Sequence, residues 1–363
     1  MKSWIDHLKV YEPGKPIEEV ARELGFNDLD SIIKVASNEN EWGPSPKAIE
    51  AMQKNIAEMH RYPDGGSFYL RHHLAQHLQV QSDQILFGNG SNELIVFLTH
   101  LFLEPGKSLV MAEQAFAVYA LATKLYQGEL IKVPMQAYTH DLDAMLDAIT
   151  PDTKLIALVN PNNPTGTAVD PEALIQFVRS VPKHVMVIID EAYIEIMPKH
   201  LRGDSLSFIR EGIENVIVLR TFSKGYGLAG LRIGYGVANQ KLIERLNRVR
   251  QPFNVNAMAQ VAAMAAIDDA EYLEKTSQLT QQGCQFLINE LEKIGFETVP
   301  SAANFVLVKT GEGRRWFEDL QKEKVIVRPL DGYGLPDHIR ITVGTLKQNQ
   351  RTIEAIRFLQ QKR

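Results

Sequence analysis

Within fourteen residues, the run Leu219-Arg-Thr-Phe-Ser-Lys-Gly-Tyr-Gly-Leu-Ala-Gly-Leu-Arg232 offers an amine, two hydroxyls and a second guanidinium. Thr221 and Ser223 stand beside Lys224, and Arg232 follows eight residues on. Gly225, Gly227 and Gly230 let backbone approach a ligand closely. Hydroxyl donors with an arginine suit a phosphate dianion. A lysine amine held away from water in the same pocket becomes nucleophilic toward an aldehyde. A lone lysine is ordinarily a solvated surface charge. It is the company of Lys224, not its residue type, that points to chemistry.

Other polar groups sit where a hydrophobic run ends. Val187-Ile-Ile-Asp-Glu-Ala-Tyr193 puts Asp190 at the carboxyl end of a buried strand, where a doubly wound sheet binds ligands. The bland alternative is a helix cap. Phe87-Gly-Asn-Gly-Ser-Asn opens a helix at Gly90, Ser91 and Asn92, and a helix N-terminus attracts phosphate through unpaired N–H groups and its dipole. Asn160-Pro-Asn-Asn-Pro-Thr-Gly166 is a tight turn after a strand, carrying Asn163. Ile339-Arg-Ile-Thr-Val-Gly344 and Val325-Ile-Val-Arg-Pro329 supply Arg340 and Arg328, whose planar forks grip anions bidentately unless they serve as surface ion pairs.

The elements that position these groups follow from periodicity. Short apolar runs at Ser108–Met111, Leu130–Val133, Leu155–Val159, Val185–Ile189, Val216–Leu219 and Ile233–Val237 alternate with helical patterns at Ser91–Phe102, Pro171–Ser180 and Gln240–Val249. That alternation predicts an α/β fold with a doubly wound, mostly parallel sheet covered on both faces. After Pro252 the pattern changes to a long interrupted helix over 258–293, strands at Phe305–Val308, Val325–Val327 and Ile339–Val343, and helices at Arg314–Lys322 and Lys347–Gln360. The expected organisation is a large domain over 46–252, a smaller α+β domain over 253–363, and an N-terminal segment, 1–45, packed on the small domain.

Composition narrows the partners. Of 363 residues, 45% are hydrophobic and 23% charged, ordinary globular usage, with a net charge of −5. Without a basic patch, neither nucleic acid nor a membrane surface is an expected partner. The apolar runs are strand-length, too short to span a bilayer. One cysteine, Cys284, cannot pair within the chain, and Met1-Lys-Ser-Trp4 has no signal-peptide character, so a reducing cytoplasm is expected.

The lysine run resembles the cofactor-lysine motif of fold-type I pyridoxal-phosphate (PLP) enzymes of the aminotransferase class I/II family, and the resemblance extends through most of the chain. It implies pyridoxal 5'-phosphate as cofactor, carried on Lys224 as a Schiff base, with Lys224 also moving the proton at the substrate α-carbon. Thr221, Ser223 and Arg232, with Gly90, Ser91 and Asn92, would hold the phosphate. The family often has an acid where Asn92 stands. Asp190 would pair with the pyridine nitrogen and keep the ring an electron sink, while Tyr193 and Asn163 would bond the phenolic oxygen. Glu113-Gln-Ala-Phe-Ala-Val-Tyr119 aligns with the segment that lays an aromatic ring on the cofactor, here Phe116. His60-Arg-Tyr-Pro-Asp-Gly-Gly66 matches a segment whose tyrosine, here Tyr62, reaches the neighbouring subunit's cofactor phosphate, which implies a homodimer.

On the substrate side, the resemblance assigns Arg340 and Arg328 to anion binding. Tyr11 in Val-Tyr-Glu-Pro-Gly-Lys-Pro would border the substrate phosphate, and Val35-Ala-Ser-Asn-Glu-Asn40 would form the N-terminal edge of the site with Asn40. Glu41-Trp-Gly departs there from the commoner Pro-x-Gly. The implied reaction is transamination of L-histidinol phosphate with 2-oxoglutarate, giving imidazole-acetol phosphate and glutamate, in histidine biosynthesis. An aromatic aminotransferase would share every cofactor residue, and a PLP-dependent threonine-phosphate decarboxylase resembles the same subfamily. A PLP-sensing transcriptional regulator would need a DNA-binding domain for which the chain has no room.

Overall fold

The computed structural model describes residues 3–8, 10 and 14–363. A two-residue strand, β1 (Ile33–Lys34), comes first. Seven strands then build the main sheet: β2 (Ile85–Gly88), β3 (Ser108–Ala112), β4 (Glu129–Val133), β5 (Thr153–Val159), β6 (Met186–Asp190), β7 (Val216–Thr221) and β8 (Gly234–Ala238). Their spatial order is β2-β8-β7-β6-β5-β3-β4. Neighbours from β7 to β4 run parallel, whereas β8 is antiparallel to both β7 and β2.

The sheet is apolar on both faces because each strand feeds two cores. Along β5, Leu155, Ala157 and Val159 join one core while Ile156 and Leu158 join the other, the alternation a pleated strand imposes. This is why the strands read as continuous hydrophobic runs rather than alternating ones. Helices end where the local chemistry stops them. Pro171–Ser180 starts with proline in its first turn, and the Asp170 carboxylate accepts from Glu172 N and Ala173 N at 2.9 and 3.0 Å.

The long helical pattern expected over 258–293 is two helices, Ala257–Ile267 and Ala270–Lys293, interrupted at Asp268-Asp269. The first lies beyond the boundary expected at 252, yet Ala259, Ala262, Ala263 and Ala266 share the core of Ala48, Leu70 and Leu74. Its sequence is apolar on every side, so periodicity does not say which unit it covers.

A further core gathers Val20, Ala21, Ile32, Val35 and Ala36 with Cys284, Leu287, Trp316, Leu320 and Ile356. It covers a four-stranded antiparallel sheet of β9 (Glu297–Val299), β10 (Phe305–Lys309), β12 (Arg328–Pro329) and β13 (His338–Thr342), in the order β12-β13-β10-β9. Here β1 pairs in parallel with β11 (Val325–Ile326), so residues 33–36 are knitted to the C-terminal third. Among the described residues no helix is long and apolar enough to cross a membrane.

Gly283, in the middle of helix Ala270–Lys293, shows how tightly this unit is closed. A methyl there would overlap the Val343 side chain. Glycine in a helix interior ordinarily costs about 1 kcal/mol relative to alanine. Here Gly283→Ala should instead destabilise by about 1–3 kcal/mol through overpacking. A shift of the urea midpoint to lower concentration confirms this, and a rise refutes it.

Candidate active site

The carboxyl ends of β5, β6 and β7 open onto one cavity of about 220 Å³. Its lining brings together Gly90, Ser91, Asn92, Phe116, Asn163, Asp190, Tyr193, Thr221, Ser223, Lys224, Arg232, Arg328 and Arg340, residues spread over most of the sequence. Three of the expected residues are not in this lining. Asn40 does not line the cavity; its Nδ2 donates to Gly225 O at 3.1 Å and ties the N-terminal segment to the lysine loop. Tyr62 is 84% exposed and stacks on Phe253 at 5.0 Å between ring centroids. Tyr11 lies outside the described residues.

One end of the cavity is built for an anion. Helix Ser91–Phe102 starts at Ser91, and Gly90 before it takes φ +75°, a conformation that favours glycine. A side chain at Gly90 would also crowd the Arg232 guanidinium, and one at Gly234 would strike the backbone at Ser91 N. Both glycines thus let a helix N-terminus, an arginine and strand β8 converge. Opposite them, Thr221 Oγ1 donates to Ser223 Oγ at 3.0 Å, and both residues are buried. Free N–H groups at a helix start, two hydroxyls and a guanidinium form the donor set a phosphate dianion takes.

Lys224 Nζ donates to Asn38 O at 2.9 Å and Ser37 O at 3.4 Å, and lies 5.7 Å from the centre of the Tyr193 ring. Burial, then the positive charge of Arg340, pushes the lysine down to about 8. A good share of the amine is therefore neutral near physiological pH.

Asp190 ends β6 and is not a helix cap; its Oδ2 accepts from the Tyr119 hydroxyl at 2.9 Å, and its Oδ1 accepts from Ala192 N at 3.3 Å. Burial raises its pKa to about 6 against the lowering effect of these hydrogen bonds. Tyr193 is pushed up to about 12, mainly by burial, so its hydroxyl stays protonated. On the far face of the same strands Glu191 pairs with Arg220 at 2.8 Å, since neighbouring residues on a strand point to opposite sides.

Asn38 lines the cavity and Tyr119 donates to Asp190 from behind it, and no local sequence signal singles out either one. Asn38 is 1% exposed with φ +54°, and its Nδ2 donates to the Tyr193 hydroxyl at 2.9 Å. Thr342 fixes it from β13: Asn38 N donates to Thr342 Oγ1 at 3.0 Å, and that hydroxyl donates to Asn38 Oδ1 at 3.2 Å. The only signal was its place in the quoted segment 35–40. Gly14, Ser37 and Tyr333 also line the cavity. Arg340, 5% exposed, donates to Asn163 Oδ1 and, at 2.8 Å, to Ala36 O.

Comparison with known proteins agrees with this chemistry. The family model for aminotransferase class I and II matches residues 30–356. A histidinol-phosphate aminotransferase of Akkermansia muciniphila is 46% identical over 351 residues, covering 96% of each chain. One from Moorella thermoacetica is 46% identical over 96% of this chain and 90% of its own. Among solved structures, histidinol-phosphate aminotransferase from Sinorhizobium meliloti in complex with pyridoxal-5'-phosphate aligns with a TM-score of 0.88 at 27% identity, covering 99% of this chain and 98% of that one. L-threonine-O-3-phosphate decarboxylase from Porphyromonas gingivalis aligns at 0.81 over 91% of this chain and 100% of its own; at 24% identity that likeness is one of fold alone.

The raised pKa of Asp190 has a consequence for the cofactor-free protein. A carboxyl whose folded pKa lies above its unfolded value supports folding at low pH, and that support is lost as pH rises through about 6. Asp190→Asn should therefore stabilise the apo-protein at pH 8 by on the order of 2 kcal/mol. Its thermal midpoint should rise over the native one at pH 8, with the gap shrinking toward pH 5. A variant no more stable at pH 8 than at pH 5, relative to native, would contradict the assignment.

Proposed function

This chain belongs to the aminotransferase class I and II family, and we propose that it moves an amino group between L-histidinol phosphate and 2-oxoglutarate on pyridoxal 5'-phosphate, in histidine biosynthesis. The observation that carries this reading is the single cavity in which Lys224, Asp190, a phosphate-binding helix start and two arginines meet. The substrate follows from 46% identity to histidinol-phosphate aminotransferases over nearly the whole length.

The residues fit the cofactor. Gly90, Ser91, Asn92, Thr221, Ser223 and Arg232 would hold its phosphate, and Phe116 at the cavity wall its ring face. Asp190, ionised above about pH 6, would meet the ring nitrogen. Tyr193 and Asn163 would meet the phenolic oxygen. When bound, PLP supplies a carbonyl for the amine and a ring that accepts the electrons released at the substrate α-carbon.

Lys224 is the base. With a pKa near 8 it can take a proton from the α-carbon and return it within one catalytic cycle, which an amine at the ordinary lysine value does poorly at neutral pH. The carbonyls of Ser37 and Asn38 aim it. Arg340 and Arg328 would bind the phosphate of one substrate and a carboxylate of the other in turn. Asn40 would act from behind, through the lysine loop, and Tyr11 would border the substrate phosphate.

The same reading makes the enzyme a cytoplasmic homodimer. Tyr62, Phe68, Tyr69 and Phe253 are exposed large aromatics at 84%, 57%, 75% and 48%. A second copy covering them would place Tyr62 near the neighbouring cofactor phosphate. It also divides the chain into a large unit, 46–252 with the helix to Ile267, and a small one over the rest, with residues 17–36 packed against it.

Single-turnover absorbance with PLP-loaded protein and no keto acid tests the substrate. Histidinol phosphate should yield pyridoxamine phosphate far faster than phenylalanine or threonine phosphate. Phenylalanine at an equal or higher rate makes this an aromatic aminotransferase, and carbon dioxide from threonine phosphate makes it a decarboxylase. Lys224→Ala should bind PLP reversibly yet lose at least about 10³-fold in kcat, the scale of lost acid–base catalysis. Near-normal turnover would remove Lys224 from the mechanism.

A further inference from the structure

Helix Ala117–Leu125 begins directly after Phe116, which lines the cavity. Three residues along, on the same side of the first turn, Tyr119 points inward and is completely buried. Its hydroxyl donates to the Asp190 carboxylate at 2.9 Å. Burial, then the charge of Asp190, holds the phenol well above its ordinary pKa, so it keeps its proton and acts as donor.

A charge-assisted hydrogen bond favours the ionised carboxylate and fixes the rotation of its plane. Ala192 N reaches Oδ1 only at 3.3 Å, which makes the phenol the shorter of the two contacts. We propose that Tyr119 is a positioning residue: by donating to Oδ2 it keeps Asp190 ionised and presents Oδ1 to the cofactor's ring nitrogen. One helical turn would thus serve the cofactor twice, with Phe116 at its face and Tyr119 behind the acid that meets its nitrogen. This rests on the reading of Asp190 given above.

Tyr119 also fills core space beside Leu86 and Leu109, so the test separates packing from the hydroxyl. Tyr119→Phe keeps the ring and removes only the donor. It is compared with Asp190→Asn and the double variant. In the apo-protein, the pH at which Asp190 takes up a proton, read by ¹³C NMR of labelled aspartate, should rise by about one unit in Tyr119→Phe. In the loaded enzyme, kcat and PLP affinity should each fall about tenfold, the scale of a hydrogen bond to a charged group. The KM for histidinol phosphate should stay within about twofold, and the acid limb of the kcat profile should move upward. On the Asp190→Asn background the same change should leave kcat and PLP affinity within about twofold.

Equal losses with and without the Asp190 carboxylate would overturn the proposal. So would an unmoved Asp190 titration with only a lower thermal midpoint. If Asp190→Asn itself leaves kcat near native, the reading of Asp190 fails and this inference with it. If Asp190→Asn collapses kcat while Tyr119→Phe adds independently, the reading of Asp190 stands and only Tyr119 is removed.

Discussion

A primary amine taken out of water prefers to lose its charge, and the rest of this structure is arranged around one that does. Lys224 sits at the mouth of a parallel sheet with its nitrogen donating to two backbone carbonyls, and burial together with Arg340 brings its pKa to about 8. Near neutral pH, an amine can exist in both protonation states at that value. Keeping it requires an apolar sheet below, a lid of polar backbone above and nearby positive charge. The two hydrophobic cores supply the first, residues 37–38 the second and β13 the third.

The same strands separate two electrostatic jobs by a single step along the chain. Asp190 and Thr221 face the cavity, whereas Glu191 and Arg220 face the other way and close an ion pair with only 2% and 13% of their side chains exposed. Paired buried charges contribute little net stability but are costly to break. Here they fix the backbone at the residues that present the acid and a hydroxyl, so the front of the sheet inherits its geometry from the back.

Much of this was legible in the sequence because polar residues interrupt hydrophobic runs at the cavity. Asp190, Thr221 and Ser223 stand out where a buried strand would otherwise continue, and Ser91–Phe102, Pro171–Ser180 and Gln240–Val249 follow their apolar stripes and caps. Asn38 and Tyr119 were not legible, for different reasons. The place of Asn38 depends on Thr342, 304 residues away, a contact that no local pattern encodes. Tyr119 looks like one more aromatic on the apolar face of a helix, and only the folded chain brings the Asp190 carboxylate to its hydroxyl. Asn40 was read as an edge of the site because its neighbours belong there, yet its amide is spent on Gly225 O. The helix Ala257–Ile267 packs on the core of Ala48, Leu70 and Leu74, a direction that its all-round apolar surface does not encode.

The pairing of β1 with β11 also sets an order of birth. When synthesis has passed Ala238, the residues of every strand of the large sheet and Lys224 have been made. Ile33 still lacks Val325, and Asn38 still lacks Thr342. The carbonyls that aim the amine therefore wait, unanchored, for strands made near the end of translation. The residues of the phosphate cradle all precede Ala238 in the chain, whereas the residue that fixes Asn38, Thr342, comes about a hundred positions later.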